Sequence, residues 1–260
     1  MLHDDYENID VKFENKVCVV TLNRPEKRNA LGQEMREELR SFFTSIKDND
    51  EVKVILLTGE GKAFSAGGDL SALKTVDAVS GRRRLQAGHD MIHSILDLEK
   101  PVIAAVNGVA AGAGVSLALA CDVIIAGHST SFIQSFIKVG LIPDLGSIYF
   151  LPRLIGRHRA MELMLTGGKI SADQAQQMGV INRIVPDDSL LDEAYSLAAT
   201  LAEGPAIAMG LTKRVTNKSI LADINETLEL EGFAQGMCFE TEDFKEGVNA
   251  FFEKRKPQFK

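Results

Sequence analysis

Two stretches of small residues in this 260-residue chain are suited to holding a reactive oxygen: AFSAGGDL at 63–70 and NGVAAGAG at 107–114, the latter running into VSLALA. Glycine and alanine let the backbone approach a ligand closely. Amides at a helix N-terminus carry partial positive charge and suit an oxygen gaining negative charge. One amide from each stretch would form an oxyanion hole. The same spacing also suits tight turns packed in a core, and spacing alone leaves both readings open. A carboxylate follows in IPDLGS, where Asp144 stands behind Pro143. It has the chemistry of a proton acceptor, and equally of a residue that caps a turn or helix. His89 and His93 stand four apart on a predicted helix, but no third ligand accompanies them, so they are read as surface histidines and no metal is expected. The run Arg82, Arg83 and Arg84 is read as a solvated helix face.

The elements that must position these residues follow from hydrophobic periodicity. Runs at 17–22, 52–58, 102–106 and 123–126 are rich in β-branched residues and predict buried strands. Leu31, Met35, Leu39, Phe42, Phe43 and Ile46 recur at helical spacing and predict an amphipathic helix. Further helices are expected over 82–98 and from 115 to 120, with 59–68 and 108–114 as loops. Strand–helix alternation makes the class α/β. It fades near residue 150, after which helical signals dominate, including 189–203 and 219–254. Ser171 and Gln174 have the spacing of a capping box. The expected organisation is a core over 1–190 and a helical region over 191–260.

Composition narrows the function classes. The hydrophobic fraction of 45% is that of a folded protein, and the net charge of -7 argues against a nucleic-acid binder. Cys18, Cys121 and Cys238 are far apart and odd in number, which predicts reduced thiols rather than a disulfide framework or zinc site. The longest apolar stretch, 101–126, is broken by Asn107, Asp122 and glycines, so no membrane span is expected. The acidic N-terminal stretch MLHDDYENID has neither signal-peptide nor transit-peptide character, and a cytoplasmic location is expected.

Taken in order, NRPEKRNAL, AFSAGGDL, KPVIAAVNGVAAGAGVSLALACD, GLIPDLGSIYFLPRLIG and the ending AFFEKRKPQF resemble the enoyl-CoA hydratase/isomerase (crotonase) superfamily. The resemblance covers about residues 11–260. It implies a spiral of stacked ββα units, a helical C-terminal region that trimerises, and a homotrimer or dimer of trimers. It implies an acyl-CoA thioester substrate, coenzyme A being part of the substrate rather than a tightly bound cofactor. The thioester carbonyl would lie between the backbone amides of Ala66 and Ala113. CoA contact would fall on Arg24 and Arg28 in the first loop and on Ala63, Phe64, Ser65, Gly67, Gly68, Asp69 and Leu70. Phe251 and Lys254 match a C-terminal pair that reaches CoA across a subunit boundary. Asp122, in the family's CD pair, is read as structural.

The chain departs from the hydratase pattern at two positions. Hydration of a 2-enoyl thioester uses a base to activate water and an acid to protonate the α-carbon. Where the hydratases carry their two glutamates, this chain has Ser116 and Phe136, which are expected to line the acyl pocket. At Asp144, where hydratases commonly carry glycine, certain isomerases of the family carry aspartate. The surrounding stretch looks most like the ring-1,2-epoxyphenylacetyl-CoA isomerase group. The resemblance therefore implies an isomerase that moves a double bond with one carboxylate. A 2-enoyl-CoA hydratase is the first alternative, and a catalytically weak CoA-binding or RNA-binding member the second.

Overall fold

The computed structural model describes residues 6–74 and 76–260. Residues 1–5 of the acidic N-terminal stretch, and Thr75, lie outside them. Strands β1 (Ile9–Glu14) and β2 (Val17–Leu22) form an antiparallel hairpin turned at Asn15 and Lys16, both at positive φ. Helix α1 (Gln33–Ser45) follows. The chain then runs through β3 (Val54–Gly59), β4 (Ala63–Ser65), α2 (Ala78–Leu96), β5 (Val102–Val106), β6 (Val109–Ala111) and α3 (Ala113–Leu119). A third turn comprises β7 (Val123–Gly127), β8 (Ser131–Ile133), α4 (Ser147–Ile155) and α5 (Arg157–Thr166). The chain continues through β9 (Lys169–Ser171), α6 (Ala172–Gln177) and β10 (Arg183–Val185). It closes with α7 (Leu190–Ala202), α8 (Ala206–Ser219), α9 (Ile224–Phe239) and α10 (Glu242–Glu253).

From β3 to β8 successive strands alternate between two sheets. The larger has the order β1-β2-β3-β5-β7-β10 and the smaller β4-β6-β8-β9. Pairing from β2 through β10 in the large sheet is parallel, as is β4-β6-β8 in the small one. Each turn from β3 to β8 lays one strand in each sheet, which makes the expected spiral of ββα units. The corners are held by Asn107, whose side-chain amide donates to Gly59 O at 2.8 Å and Gly61 O at 2.9 Å. Gly108 sits beside it at φ 62, where a Cβ would lie 2.2 Å from Lys62 O, so only glycine lets neighbouring corners stack this closely.

The central strands β3, β5 and β7 of the large sheet are buried on both faces, which explains why they read as continuous apolar runs. Alternate residues Ile55, Leu57, Val102 and Ala104 join the main core with Met35, Leu39, Phe42 and Phe43 of α1 and Met91 and Ile95 of α2. Their neighbours Val54, Leu56, Ile103 and Ala105 face Ala194, Ala198 and Ala202 of α7. Each large side chain so buried contributes about 1.5–3 kcal/mol. Helix α7 thus lies beyond residue 190 yet packs directly on the core sheet. The Ser171–Gln174 capping box opens α6 as predicted.

Some elements differ from the sequence-based expectation. Strands β4 and β6 lie inside stretches expected to be loops, because three-residue strands are too short to show a period. Helix α8 occupies a stretch with no predicted element. Its buried face is anchored by ions rather than by an apolar stripe: Lys213 Nζ lies 2.8 Å from Asp122 Oδ2 and donates to Lys100 O at 3.1 Å. Asp122 Oδ2 also accepts Val102 N at 2.8 Å, in keeping with its reading as structural. No helix among the described residues is long and apolar enough to cross a membrane.

Candidate active site

A cavity of about 480 Å³ opens between the start of α2, the Ala66–Leu73 turn, the N-terminus of α3 and segment 135–144. Its floor is fixed from the first loop. Asn29, fully buried, donates to Glu60 O at 2.9 Å and Ala63 O at 2.7 Å while accepting Arg24 N at 2.9 Å. Ser65 Oγ donates to Asn29 O at 2.7 Å, and Leu31 N to Gly67 O at 2.7 Å. Loop and turn are therefore one hydrogen-bonded unit. Gly67, at φ 93, brings this unit against α3: a Cβ there would lie 2.5 Å from Ala111 O and 3.3 Å from Ala113 N.

The two small-residue loops thus meet, but one expected donor is already engaged. Ala66 N donates to Arg28 O at 2.8 Å and is unavailable to a ligand. Among the described residues the Gly68 N–H has no such partner, and Gly68 lines the cavity. Ala113 N is the first amide of α3, one of the donors that every helix N-terminus leaves unpaired, and Ala113 also lines the cavity. The pair of amides that the geometry offers is Gly68 with Ala113. Sequence reading placed the donor at Ala66, two residues before the amide left without a partner, because which amide is free depends on the tie to Arg28.

Asp144 lies at the cavity, half-buried, in the turn that precedes α4. Its backbone is fixed: Asp144 O accepts Ser116 Oγ at 2.9 Å and Ser147 N at 3.0 Å. Its carboxylate is not. Oδ1 is buried without a hydrogen-bond partner among the described residues, and α4 begins with no side-chain cap. A capping aspartate would accept a backbone N–H, and this one does not. Burial pushes its carboxyl above the usual carboxylate range, against the pull of Arg36, His89 and Arg84. A carboxylate raised in this way is a stronger base, and its desolvation is the dominant cause.

Other expected positions separate into those near the cavity and those away from it. Phe136 and Leu70 line it. Ser116 does not: it is fully buried, and its hydroxyl anchors the Asp144 backbone instead. The side chains of Ala63, Phe64 and Ser65 are buried too, Phe64 within the main core, so they support the turn and offer no side-chain surface to CoA. Asp69 caps the following turn through Ser71. That hydrogen bond, together with Lys27 and Arg24 nearby, holds its carboxyl below the usual range. Arg24 and Lys27 lie 3.8 and 3.6 Å from Asp69 Oδ2, and Arg28 is exposed. Within one chain Phe251 and Lys254 are not brought to the cavity. Phe251 is 78% exposed and lines a separate cleft with Phe252 and Phe259, and Lys254 ends α10.

Arg84, His89 and Arg36 are among the cavity residues that were not recognised as such from sequence. Arg84 does not belong to a wholly solvated face; it is half-buried, lines the cavity and reaches Asp69 O at 3.4 Å. His89 is exposed yet lines the same cavity. Arg36 is 3% exposed and also lines it. A signal for Arg36 existed: it falls within the apolar stripe of α1, between Met35 and Leu39, where a charge needs a reason. No group of three or more potential metal ligands occurs among the described residues.

Known proteins resemble the chain over almost its whole length. A model of the enoyl-CoA hydratase/isomerase family matches residues 12–260. The 1,2-epoxyphenylacetyl-CoA isomerase of Escherichia coli (strain K12) is 41% identical over 251 residues, covering 95% of each chain. The crotonyl-CoA hydratase of Syntrophomonas wolfei is 37% identical over 255 residues, covering 98% of each. The crystal structure of an enoyl-CoA hydratase from Bacillus anthracis matches with a TM-score of 0.94 at 36% identity, covering 98% of this chain and 99% of that one. Relatives thus include both isomerases and hydratases, and the chain belongs to the enoyl-CoA hydratase/isomerase family.

Proposed function

We propose that this enzyme is an enoyl-CoA isomerase that shifts a double bond from the 3- to the 2-position with Asp144 as its single proton carrier. The observation that carries the reading is that Asp144 is the one carboxylate among the described residues lining the cavity. The acyl-CoA thioester is the substrate, and no tightly bound cofactor takes part. Its carbonyl oxygen accepts the amides of Gly68 and Ala113. Asp144 takes a proton from C2, the negative charge moves to the thioester oxygen as a dienolate, and Asp144 returns the proton at C4. No water is added, so no second carboxylate is required. The preformed amides stabilise the dienolate without reorganising.

The CoA moiety is assigned to Gly67–Leu70 and to Arg24 and Arg28 of the first loop, with Phe251 and Lys254 supplied by a neighbouring copy. A trimer or dimer of trimers is supported by the exposed apolar side chains of α9 and α10, among them Phe233, Phe244 and Phe252. Sedimentation equilibrium at micromolar concentration should give a trimer or hexamer, and a monomer would remove that part of the proposal. A hydratase is the second reading, favoured by the similarity to the crotonyl-CoA hydratase. The discriminating experiment measures hydration of crotonyl-CoA and isomerisation of 3-hexenoyl-CoA on one preparation. With neither family glutamate in place, hydration should run about 100- to 10,000-fold below an efficient hydratase. Hydration rivalling such enzymes, with no isomerisation, would replace the proposal by its alternative.

A further inference from the structure

Arg36 is an anomalous side chain among the described residues. It is 3% exposed, and among the described residues its guanidinium makes no hydrogen bond and no ion pair; its Nε is buried outright with no acceptor. A guanidinium carries five N–H donors and stays charged, so burying it without acceptors is costly. Buried polar groups in folded proteins almost always find partners, and an exception calls for a reason.

Two glycines lie beside this arginine. A Cβ at Gly88 of α2 would lie 3.2 Å from Arg36 Nη1, and one at Gly68 would lie 3.8 Å from Nη2. The guanidinium thus passes between a glycine of α2 and the glycine of the oxyanion turn, and it lines the cavity. Charge there is unbalanced as well. Asp144 is surrounded by Arg36, His89 and Arg84, two permanent cations and an imidazole for one carboxylate. A purely hydrocarbon acyl chain would leave both the donors and the surplus charge unanswered.

We infer that Arg36 is a binding point for an oxygen carried by the acyl group itself, so that the preferred substrates are oxygenated acyl-CoA thioesters. The inference rests on the reading of this cavity as the acyl site. The oxygen is a hydroxyl, ether or carboxylate that accepts from the guanidinium within reach of Asp144. Arg36 thereby selects the substrate and does not itself carry a proton.

The test is equilibrium binding by calorimetry, using hexanoyl-CoA, its monohydroxylated forms at carbons 3 to 6, and adipyl-CoA. These saturated thioesters have no double bond to shift, so their affinities stand apart from the isomerase assignment. Turnover of 3-hexenoyl-CoA is measured on the same preparation, and its absence would sink the isomerase reading alone. The wild type should bind at least one oxygenated probe about 10-fold or more tighter than hexanoyl-CoA, the gain of a hydrogen bond to a charged donor. Preference for adipyl-CoA alone would identify the oxygen as anionic, and preference for a hydroxylated probe as neutral. Arg36→Met should abolish the preference while changing hexanoyl-CoA affinity less. Arg36→Lys, which keeps the charge but loses the fork, should reduce it severalfold and serves if the methionine variant does not fold. The inference is overturned if the wild type shows no preference, or if both variants keep it. It is overturned equally if Arg36→Met weakens every probe alike, which would place Arg36 on the common thioester or in the fold.

Discussion

Asp122 and Asp144 are both aspartates with carboxyls raised by desolvation, and they are finished differently. Asp122 accepts Lys213 Nζ and Val102 N, each at 2.8 Å, and so pins α8 to the β5–β7 edge of the core. Asp144 lines the cavity with its backbone tied by Ser116 and Ser147, while its Oδ1 is buried with no hydrogen-bond partner among the described residues. The contrast separates two uses of a desolvated carboxylate. Where a cation and a backbone amide answer the carboxylate, the group holds the fold together. Where the backbone is fixed and the side chain left unanswered, at about 1–3 kcal/mol for an unmade hydrogen bond, the group is poised for a ligand.

The largest stability effect should come from breaking the satisfied pair. Lys213→Met leaves Asp122 without its cation, and loss of one partner of a buried pair costs about 3–5 kcal/mol. With the Asp122 side chain 24% exposed, the lower end is expected, and at about 2–4 °C per kcal/mol a melting-temperature drop of about 6–12 °C follows. Turnover per folded molecule should not change. A melting temperature unmoved by the substitution would remove the structural role of Asp122. Ser116→Ala should cost less, about 1 kcal/mol for one lost hydrogen bond. Because that bond holds the Asp144 backbone, kcat should fall by up to about tenfold with KM nearly constant; a loss confined to KM would put Ser116 in binding rather than positioning.

The smallest stability effect concerns Asp144, and its sign is opposite. Its folded-state carboxyl is raised above the ordinary value of 3.8, so the folded protein holds that proton more tightly than the unfolded chain. Stability from this group is therefore fully present below 3.8 and declines as pH rises through the raised value. Asp144→Asn has no such titration and should be at least as stable as the wild type at neutral pH, with the advantage shrinking in acid. Thermal melts from pH 3.5 to 8 read this directly. An asparagine variant that is less stable at pH 7 would make Asp144 resemble Asp122.

Much of this contrast was legible in the sequence, and the rest was not for physical reasons. The β-branched runs of β2, β3 and β5 and the stripe of α1 are long enough to declare their period. The small-residue loops and Asp144 carry recognisable chemistry at recognisable positions. Strands β4 and β6 are three residues long, and pairing between sheets rather than local pattern makes them strands. The shift of the free donor from Ala66 to Gly68 depends on a hydrogen bond to Arg28, a contact across the chain. Ser116 could be read as a missing glutamate but not as the anchor of Asp144, since that bond spans 28 residues. Arg36 stands out in the sequence as a charge within the apolar stripe of α1, but packing is needed to show that it and Arg84 line the cavity and that Arg36 is without hydrogen-bond partners among the described residues.

The most direct test of Asp144 as the proton carrier is the turnover of 3-hexenoyl-CoA by Asp144→Asn at saturating substrate. The asparagine keeps the shape and leaves the amides of Gly68 and Ala113 in place, but it accepts no proton at neutral pH. With melting temperature and CoA-ester affinity preserved, kcat should fall by about two to four orders of magnitude, and residual catalysis should persist from the amides. A folded asparagine variant that isomerises the substrate at the wild-type rate would contradict the assignment.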